Sequence, residues 1–485
     1  DNLQLIRFRI HEKMRDLNKS LLKKCALPSK IALKRRNDQA RGRTVLERKI
    51  TRYLRKWKEA HGPECLLVNG ARQVGKSFAI SRFGEEAYES VVSIDFVKDP
   101  QLKGIFSRSL EADDIYSRIT LLVPGARIVP GRTLLFLDEL QECPEARSAF
   151  KYLAQDGRCD VIGSGSLLGV RFRELADAPS LPVGYERQVV MGPLDFEEYL
   201  WARGYGRGAA AELRGFLERL EPVPRAANEE MSRLLREYLA VGGMPAVVEA
   251  FLAGLDWGAA HEAQLMLHAL YLDDVAKYAP PAERVKARAC YLSLPRQLAK
   301  ENTKFQYSVV EKRAGARKFE GSVDWLVGAE VALRCRAVSA MSFPLASYED
   351  GSRFRLYAND MGLLMAMFDF SMKAAVVDDE LAGPMKGGLY ENLAACMLAR
   401  AGVPLRYWTS RNGAHEIEFV AERDAAPVPV EVKASRGATA SLNSALGLDG
   451  VRVGYKLGGG LNVGRDGKKV TLPLYMLAFL FERDA

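Results

Sequence analysis

Residues 65 to 83 read CLLVNGARQVGKSFAISRF: an apolar run, then Gly70-x-x-x-x-Gly75-Lys76-Ser77, then apolar residues at helical spacing. A strand, a glycine loop and a helix in that order constrain the fold more than any other feature of the chain. Glycines let successive backbone N–H groups turn inward around an anion, and the helix that follows presents the positive end of its dipole to the same point. The matching ligand is a polyphosphate, here ATP. The expected cradle is Gly70, Ala71, Arg72, Gln73, Val74, Gly75, Lys76, Ser77 and Phe78, with Lys76 reaching the β- and γ-phosphates and the Ser77 hydroxyl on Mg²⁺.

RTLLFLDELQECP supplies the complementary element, a buried strand from Thr133 to Leu137 that ends in Asp138-Glu139. Alone, two acids at a strand end read as a solvated turn. Downstream of a phosphate loop, Asp138 is expected to hold the Mg²⁺ hydration shell and Glu139 to orient or deprotonate the attacking water. CDVIGSGSLLG adds a strand ending in Ser164 and Ser166, either of which could sense the γ-phosphate, with Ser164 the candidate carried forward, against a plain Gly/Ser turn. With VVSIDF and RQVVMGPL, residues 44–205 alternate strands and helices, which predicts an α/β doubly wound parallel sheet. The cation opposite the transferring phosphoryl group has four candidates, Arg72, Arg171, Arg173 and Arg187, each of which taken singly reads more readily as a surface or ion-paired arginine.

Composition excludes several classes. Apolar residues make up 48% of 485 and charged residues 27%, and no apolar run approaches bilayer length, so a globular chain without a membrane partner is expected. Seven cysteines without a C-x-x-C pair, and five histidines that do not cluster with them, argue against zinc or a disulfide framework and for a reducing cytoplasm. The opening residues lack an uninterrupted apolar export segment, and a start on Asp1 reads as trimmed.

The net charge of +9 lies wholly within residues 1–43, which hold 13 Lys/Arg and 4 Asp/Glu. Leu3, Ile6, Ile10, Leu17 and Leu21 recur there at helical spacing. The arm reads as an amphipathic helix for a protein partner, a second copy or nucleic acid, or as a solvated basic extension.

Residues 206–290 are rich in Ala, Leu, Glu and Arg with VGGMP as a break, which predicts a helical lid; Asp273, Asp274 and Lys277 are spaced for local ion pairing on one helix. Residues 291–375 carry helix, turn, helix and a strand pair, as in a winged helix. Lys312, Arg313, Arg317 and Lys318 would face phosphates of DNA or RNA from its helix, although the segment is only slightly basic and a packing role fits it as well.

Residues 376–485 contain HEIEFVAERDAAPVPVEVKAS. Positions i and i+2 of a strand share a face, so Glu431 and Lys433 project together, with Val430 and Val432 behind, and Glu416 pairs with Glu418 on the preceding strand. Glu391, in the helical GGLYENLAACMLARAG, could complete the group. Carboxylates around Mg²⁺ with a lysine suit phosphodiester chemistry; the alternative is an amphipathic hairpin with its polar residues outward.

GARQVGKS, TLLFLDELQECP, VIGSGSLLGV, LPVGYERQVVMGPLDFEEYL, YLAVGGMPAVVEAF, LPRQLAKENTKFQYS, FRLYANDMGLL, GLYENL and EIEFV with VPVEVK together resemble a prokaryotic family of AAA+-like ATPases fused to a C-terminal domain of unknown function. The resemblance runs over about residues 44 to 435. It implies an ATP-hydrolysing core, a helical or winged-helix middle and a C-terminal α/β domain similar to PD-(D/E)xK nucleases, of the restriction-endonuclease type. At Glu418 the chain departs from that nuclease pattern, which has Asp there. The extra methylene displaces a carboxylate around a cation that tolerates little departure from octahedral geometry.

Overall fold

The structure, a computed structural model, describes residues 45–60, 62–166, 184–299, 304–434 and 439–482. The basic arm and the candidates Arg171 and Arg173 lie outside the described residues. The chain divides into two compact units. One comprises Glu47–Pro193 with Gly328–Glu330, and the other is built from Leu194–Val327 and Val331–Asp484.

In the first unit, α1 (Lys49–Ala60) precedes β1 (Cys65–Asn69), α2 (Lys76–Ala87), β2 (Ser90–Asp95), α3 (Ala112–Leu122), β3 (Thr133–Asp138), α4 (Pro144–Ser148), α5 (Phe150–Asp156), β4 (Asp160–Gly165) and β5 (Glu186–Val190). All five strands are parallel, in the order β2-β3-β4-β1-β5. Leu66, Leu67, Val68 and the whole of β3 are buried, as expected of strands covered on both faces. Their carboxyl ends lie along one edge, where the loop after β1 and the Asp138-Glu139 doublet both emerge.

The second unit is helical from α6 (Phe196–Ala202) through α7 (Arg207–Arg219), α8 (Arg225–Val241), α9 (Pro245–Leu252), α10 (Trp257–Tyr278), α11 (Arg284–Leu292), α12 (Leu294–Leu298), α13 (Tyr307–Val310) and α14 (Ala316–Gly328). Asp195 caps α6 through a reciprocal capping box with Glu198. Asp273, Asp274 and Lys277 lie on α10.

Next come β6 (Ala332–Val338), β7 (Glu349–Ala358), α15 (Met361–Met365), α16 (Ser371–Val377), α17 (Gly383–Arg400), β8 (Arg406–Thr409), β9 (Glu416–Ile417), β10 (Phe419–Arg423), β11 (Ala426–Lys433), α18 (Ala440–Leu446), β12 (Gly454–Gly458), β13 (Gly464–Asp466), β14 (Lys469–Pro473) and α19 (Leu477–Leu480). The expected strand pair is β6 with β7, antiparallel, but β6 also pairs in parallel with β8. Strands from the two segments expected to be a winged helix and a C-terminal domain thus share one sheet, in the order β7-β6-β8-β9. A second sheet runs β10-β11-β12-β14-β13.

The expectation of one continuous strand through Glu416 and Glu418 is corrected here. The chain bends at Glu418, leaving the β8 pairing through β9 and joining β11 through β10. The residue therefore stands at a junction between sheets, where its side chain can reach across to β11.

Candidate functional site

The loop after β1 has the backbone its sequence demands. Gly70 adopts φ 153°, Gln73 φ 65° and Gly75 φ 91°, so conformations that favour glycine recur along the turn and α2 begins at Lys76. Gly70 is required for a further reason: a Cβ there would stand 2.1 Å from the Met191 carbonyl oxygen. Lys76 is buried, and its ammonium donates to Gly70 O at 2.8 Å and Ala71 O at 2.9 Å. Burial lowers its pKa, against the pull of the carboxylates of Glu139 and Asp138. Val74 is buried and Phe78 exposed, on the first turn of α2.

Asp138 and Glu139 leave β3 in different directions. Asp138 is buried, and its Oδ1 accepts from the Glu139 N–H at 3.0 Å and from the Ser164 hydroxyl on neighbouring β4. Both donors sit on Oδ1, which leaves Oδ2 for a hydrated cation. Of the two serines, Ser164 thus reaches the acid directly. Glu139 is held at φ 56°, ψ 47°, a left-handed conformation uncommon for a side chain of its size, and accepts from Gln141 Nε2. Burial raises its pKa, and the Gln141 bond opposes that rise. A carboxyl moved toward neutral pH is suited to accepting a proton from water.

Among the arginine candidates, Arg72 lies close enough for its charge to bear on both Lys76 and Glu139. Arg187 instead pairs with Glu64 at 2.8 Å on exposed β5. The Ser77 hydroxyl and the Asp138 carboxylate are hard oxygen donors of the kind Mg²⁺ selects, so the residues present fit that ion.

The second candidate constellation lies wholly within the other unit. Lys433 Nζ is 2.9 Å from Glu418 Oε1 and 3.6 Å from Glu431 Oε1, and Glu418 Oε2 accepts from Val432 N at 3.1 Å. Glu391 accepts from Arg355 Nη1 and the Tyr357 hydroxyl, each at 3.2 Å. Glu416 pairs with the other terminal nitrogen of Arg355, Nη2. The reading of β11 as an amphipathic strand with its carboxylate outward is overturned, because Glu431 is 1% exposed and Glu418 7%. The strand is buried on both faces, so the same side chains must be satisfied by partners rather than by water.

Burial pushes Glu391 up to about 7, against the attraction of Arg355, and raises Glu431 as well. Burial disfavours the charge on Lys433, yet Glu418 and Glu431 beside it hold the ammonium above its ordinary range. Among the described residues, no three His, Cys, Asp or Glu side chains form a group that could hold a metal ion.

Lys312, Arg313, Arg317 and Lys318 are exposed around the start of α14, with Lys318 paired to Glu311 at 2.6 Å. Sequence reasoning missed Arg355, a 1%-exposed guanidinium lying 4.4 Å over the Tyr407 ring. Its signal was an arginine inside the apolar run FRLYA. It also missed Gln141, four positions past the buried Leu137, and Arg48, ahead of α1, which no motif marks.

Three sequence profiles match the chain. Residues 63–200 match the family described as AAA domain, residues 232–374 a domain of unknown function (DUF8612), and residues 386–472 another domain of unknown function (DUF4143). No curated protein matches. Solved structures similar to the chain include a Walker-type ATPase of Pyrococcus abyssi, 14% identical, covering 67% of this chain and 96% of its own, with a TM-score of 0.39. The ORC2 protein of Aeropyrum pernix in its ADP form is 13% identical, over 70% of this chain and 96% of its own, with a TM-score of 0.29. DnaA of Aquifex aeolicus bound to AMPPCP is 14% identical, over 58% and 89%, with a TM-score of 0.27. No helix among the described residues is long and apolar enough to cross a membrane.

The five-stranded parallel sheet, the glycine loop and the acidic strand end fit a P-loop NTPase core, and residues 63–200 are similar to the AAA domain, which supports ATP binding and hydrolysis.

Proposed function

We propose that the chain is a Mg²⁺-dependent ATPase whose nucleotide state biases the arrangement of its other domains, acting on nucleic acid. The observation that carries the reading is the buried Lys76 ammonium, held by two carbonyls of its own loop beside the Asp138-Glu139 strand end. An incoming polyphosphate would compete with those carbonyls for the ammonium. Lys76 then offsets charge on the β- and γ-phosphates, while the loop N–H groups and the α2 N-terminus hold the rest of the chain of phosphates. Mg²⁺, held through Ser77 and Asp138, supplies charge neutralisation at the phosphate oxygens. Ser164 fixes the Asp138 carboxylate, and Glu139 takes the proton of the attacking water. Of the two described arginine candidates, Arg187 is paired with Glu64 and Arg72, within the loop itself, is the candidate for the developing negative charge.

Lys76→Ala should abolish hydrolysis in a folded chain, and Glu139→Gln should slow it on the order of a hundredfold while leaving ATP bound. A folded Lys76→Ala that hydrolyses ATP as fast as the parent would contradict the reading. The nucleic-acid part has its own test, because DNA or RNA should stimulate turnover through the exposed Lys312, Arg313 and Arg317. Without stimulation, the reading becomes a nucleotide-gated switch acting through protein contacts, with the basic arm of residues 1–43 as a second contact for protein, self or nucleic acid.

A second reading, an ATPase-regulated metal-dependent nuclease, rests on one observation, that Glu418 and Glu431 both lie within 3.6 Å of the Lys433 ammonium; against it, no three acidic, His or Cys side chains among the described residues group so as to hold a metal ion. Incubation of plasmid and single-stranded DNA with Mg²⁺ or Mn²⁺, against Lys433→Ala, decides it: cutting by the parent alone supports the reading, and intact DNA in both removes it.

A further inference from the structure

Arg48 lies just ahead of α1, outside every sequence motif, yet it is only 8% exposed. Its Nη1 donates to Val74 O at 2.7 Å and its Nη2 to Gly192 O at 2.6 Å. Val74 belongs to the phosphate cradle, while Gly192 follows the end of β5. A loop that turns its N–H groups inward on a ligand must turn carbonyls outward, and each outward carbonyl needs a partner to hold its peptide plane. Arginine suits the task because its planar fork can grip two carbonyls in fixed geometry, whereas lysine offers a single mobile point charge.

A separate contact restrains the other end of the cradle. Gly70 is packed against Met191 so closely that a Cβ would meet the Met191 carbonyl oxygen at 2.1 Å, and Met191 N donates to Asn69 O at 2.8 Å. Both ends of the loop therefore bear on consecutive residues, Met191 at Gly70 and Gly192 through Arg48 at Val74.

We propose that Arg48 is a positioning residue for the nucleotide. It locks the Val74 peptide so that the cradle's N–H groups face the phosphates before ATP arrives, and it acts through the backbone rather than on the ligand. The inference deepens the ATPase reading and rests on it.

The test uses the full chain, with ATP itself as the probe. Arg48→Ala and the more conservative Arg48→Lys are compared with the parent for ATP affinity by calorimetry, for KM and kcat, and for melting temperature. Arg55→Ala, at an exposed ion pair on α1, is the surface control. In Arg48→Ala, KM and Kd should rise about tenfold or more, as loss of a charged donor's hydrogen bonds predicts, while kcat at saturating ATP changes less. Arg48→Lys should fold like the parent and lose part of the affinity. Millimolar guanidinium should restore affinity to Arg48→Ala and leave the Arg55→Ala control unmoved.

A folded Arg48→Lys or Arg48→Ala that binds ATP like the parent overturns the proposal. So does a loss of affinity in Arg48→Ala that guanidinium fails to restore and that tracks a fall in melting temperature, since that assigns Arg48 to the stability of the fold rather than to the loop. If the parent itself binds no ATP, the nucleotide reading fails first and Arg48 falls with it, which is distinguishable from a parent that binds and variants that bind equally well.

Discussion

The Ser164 hydroxyl on β4 donates to Asp138 Oδ1 on β3, so two parallel strands are joined side chain to side chain at the edge where the phosphate loop opens. Ser164 is fully buried, and the bond fixes which oxygen of Asp138 is left for a cation. In Ser164→Ala the carboxylate loses a buried donor without steric gain. We expect kcat to fall about tenfold and the Mg²⁺ concentration for half-maximal rate to rise, with a lower melting temperature from the loss of a hydrogen bond to a buried carboxylate. Steady-state kinetics across a Mg²⁺ series measure this, and unchanged kcat with an unchanged Mg²⁺ requirement would remove Ser164 from the site.

Gly70→Ala tests the loop's close approach. The added methyl would meet Met191 O at 2.1 Å, in backbone at φ 153° that side chains rarely adopt. A destabilisation of about 2 kcal/mol or more is expected, together with loss of ATP binding. Thermal melts and nucleotide titration report the two effects separately.

Lys373 on α16 and His261 on α10 make a pH-dependent pair. Lys373 is fully buried, its Nζ 2.8 Å from His261 Nδ1. Burial lowers Lys373 to about 7, against the charge of Asp369, and lowers His261 to about 4, with Lys373 adding to the effect. Because the unfolded amine keeps its ordinary value of 10.5, the unfolded state binds more protons between about 7 and 10.5. Stability must rise with pH across that window and carry a penalty below it. Lys373→Met should melt higher than the parent at neutral pH and show a flatter profile toward alkaline pH. An equal slope in the two proteins would contradict the assignment.

Lys433 compensates two carboxylates that are nearly closed off from water. Among the described residues no hydrogen bond reaches either Glu431 side-chain oxygen, and the carboxylate is balanced by the ion pair with Lys433 at 3.6 Å. Lys433→Met should cost about 1–3 kcal/mol, and adding Glu431→Gln should recover part of it. Denaturant titration of the single and double variants measures that coupling.

The phosphate loop and the β3 acids were legible because their chemistry forces a local order: Gly70, Gly75, Lys76, Asp138 and Glu139 sit at fixed offsets from buried strands. The same holds for the parallel sheet, whose strands are short apolar runs between helical stretches. Glu418 was misplaced because its position depends on which neighbour each half of the segment pairs with, and a two-residue period cannot show a change of sheet. Arg48 and Arg355 were missed for a related reason. Their partners are 26 or more residues away in sequence, and nothing local announces a guanidinium that serves distant carbonyls or carboxylates.

On the proposed reading, the cradle around Lys76 grips a triphosphate. Calorimetric titration of ATP with Mg²⁺ into intact, monodisperse protein measures that grip. A saturable heat for one site per chain, absent from a Lys76→Ala variant that melts like the parent, is the predicted result. No saturable heat in the parent, or equal heat in both proteins, would contradict it.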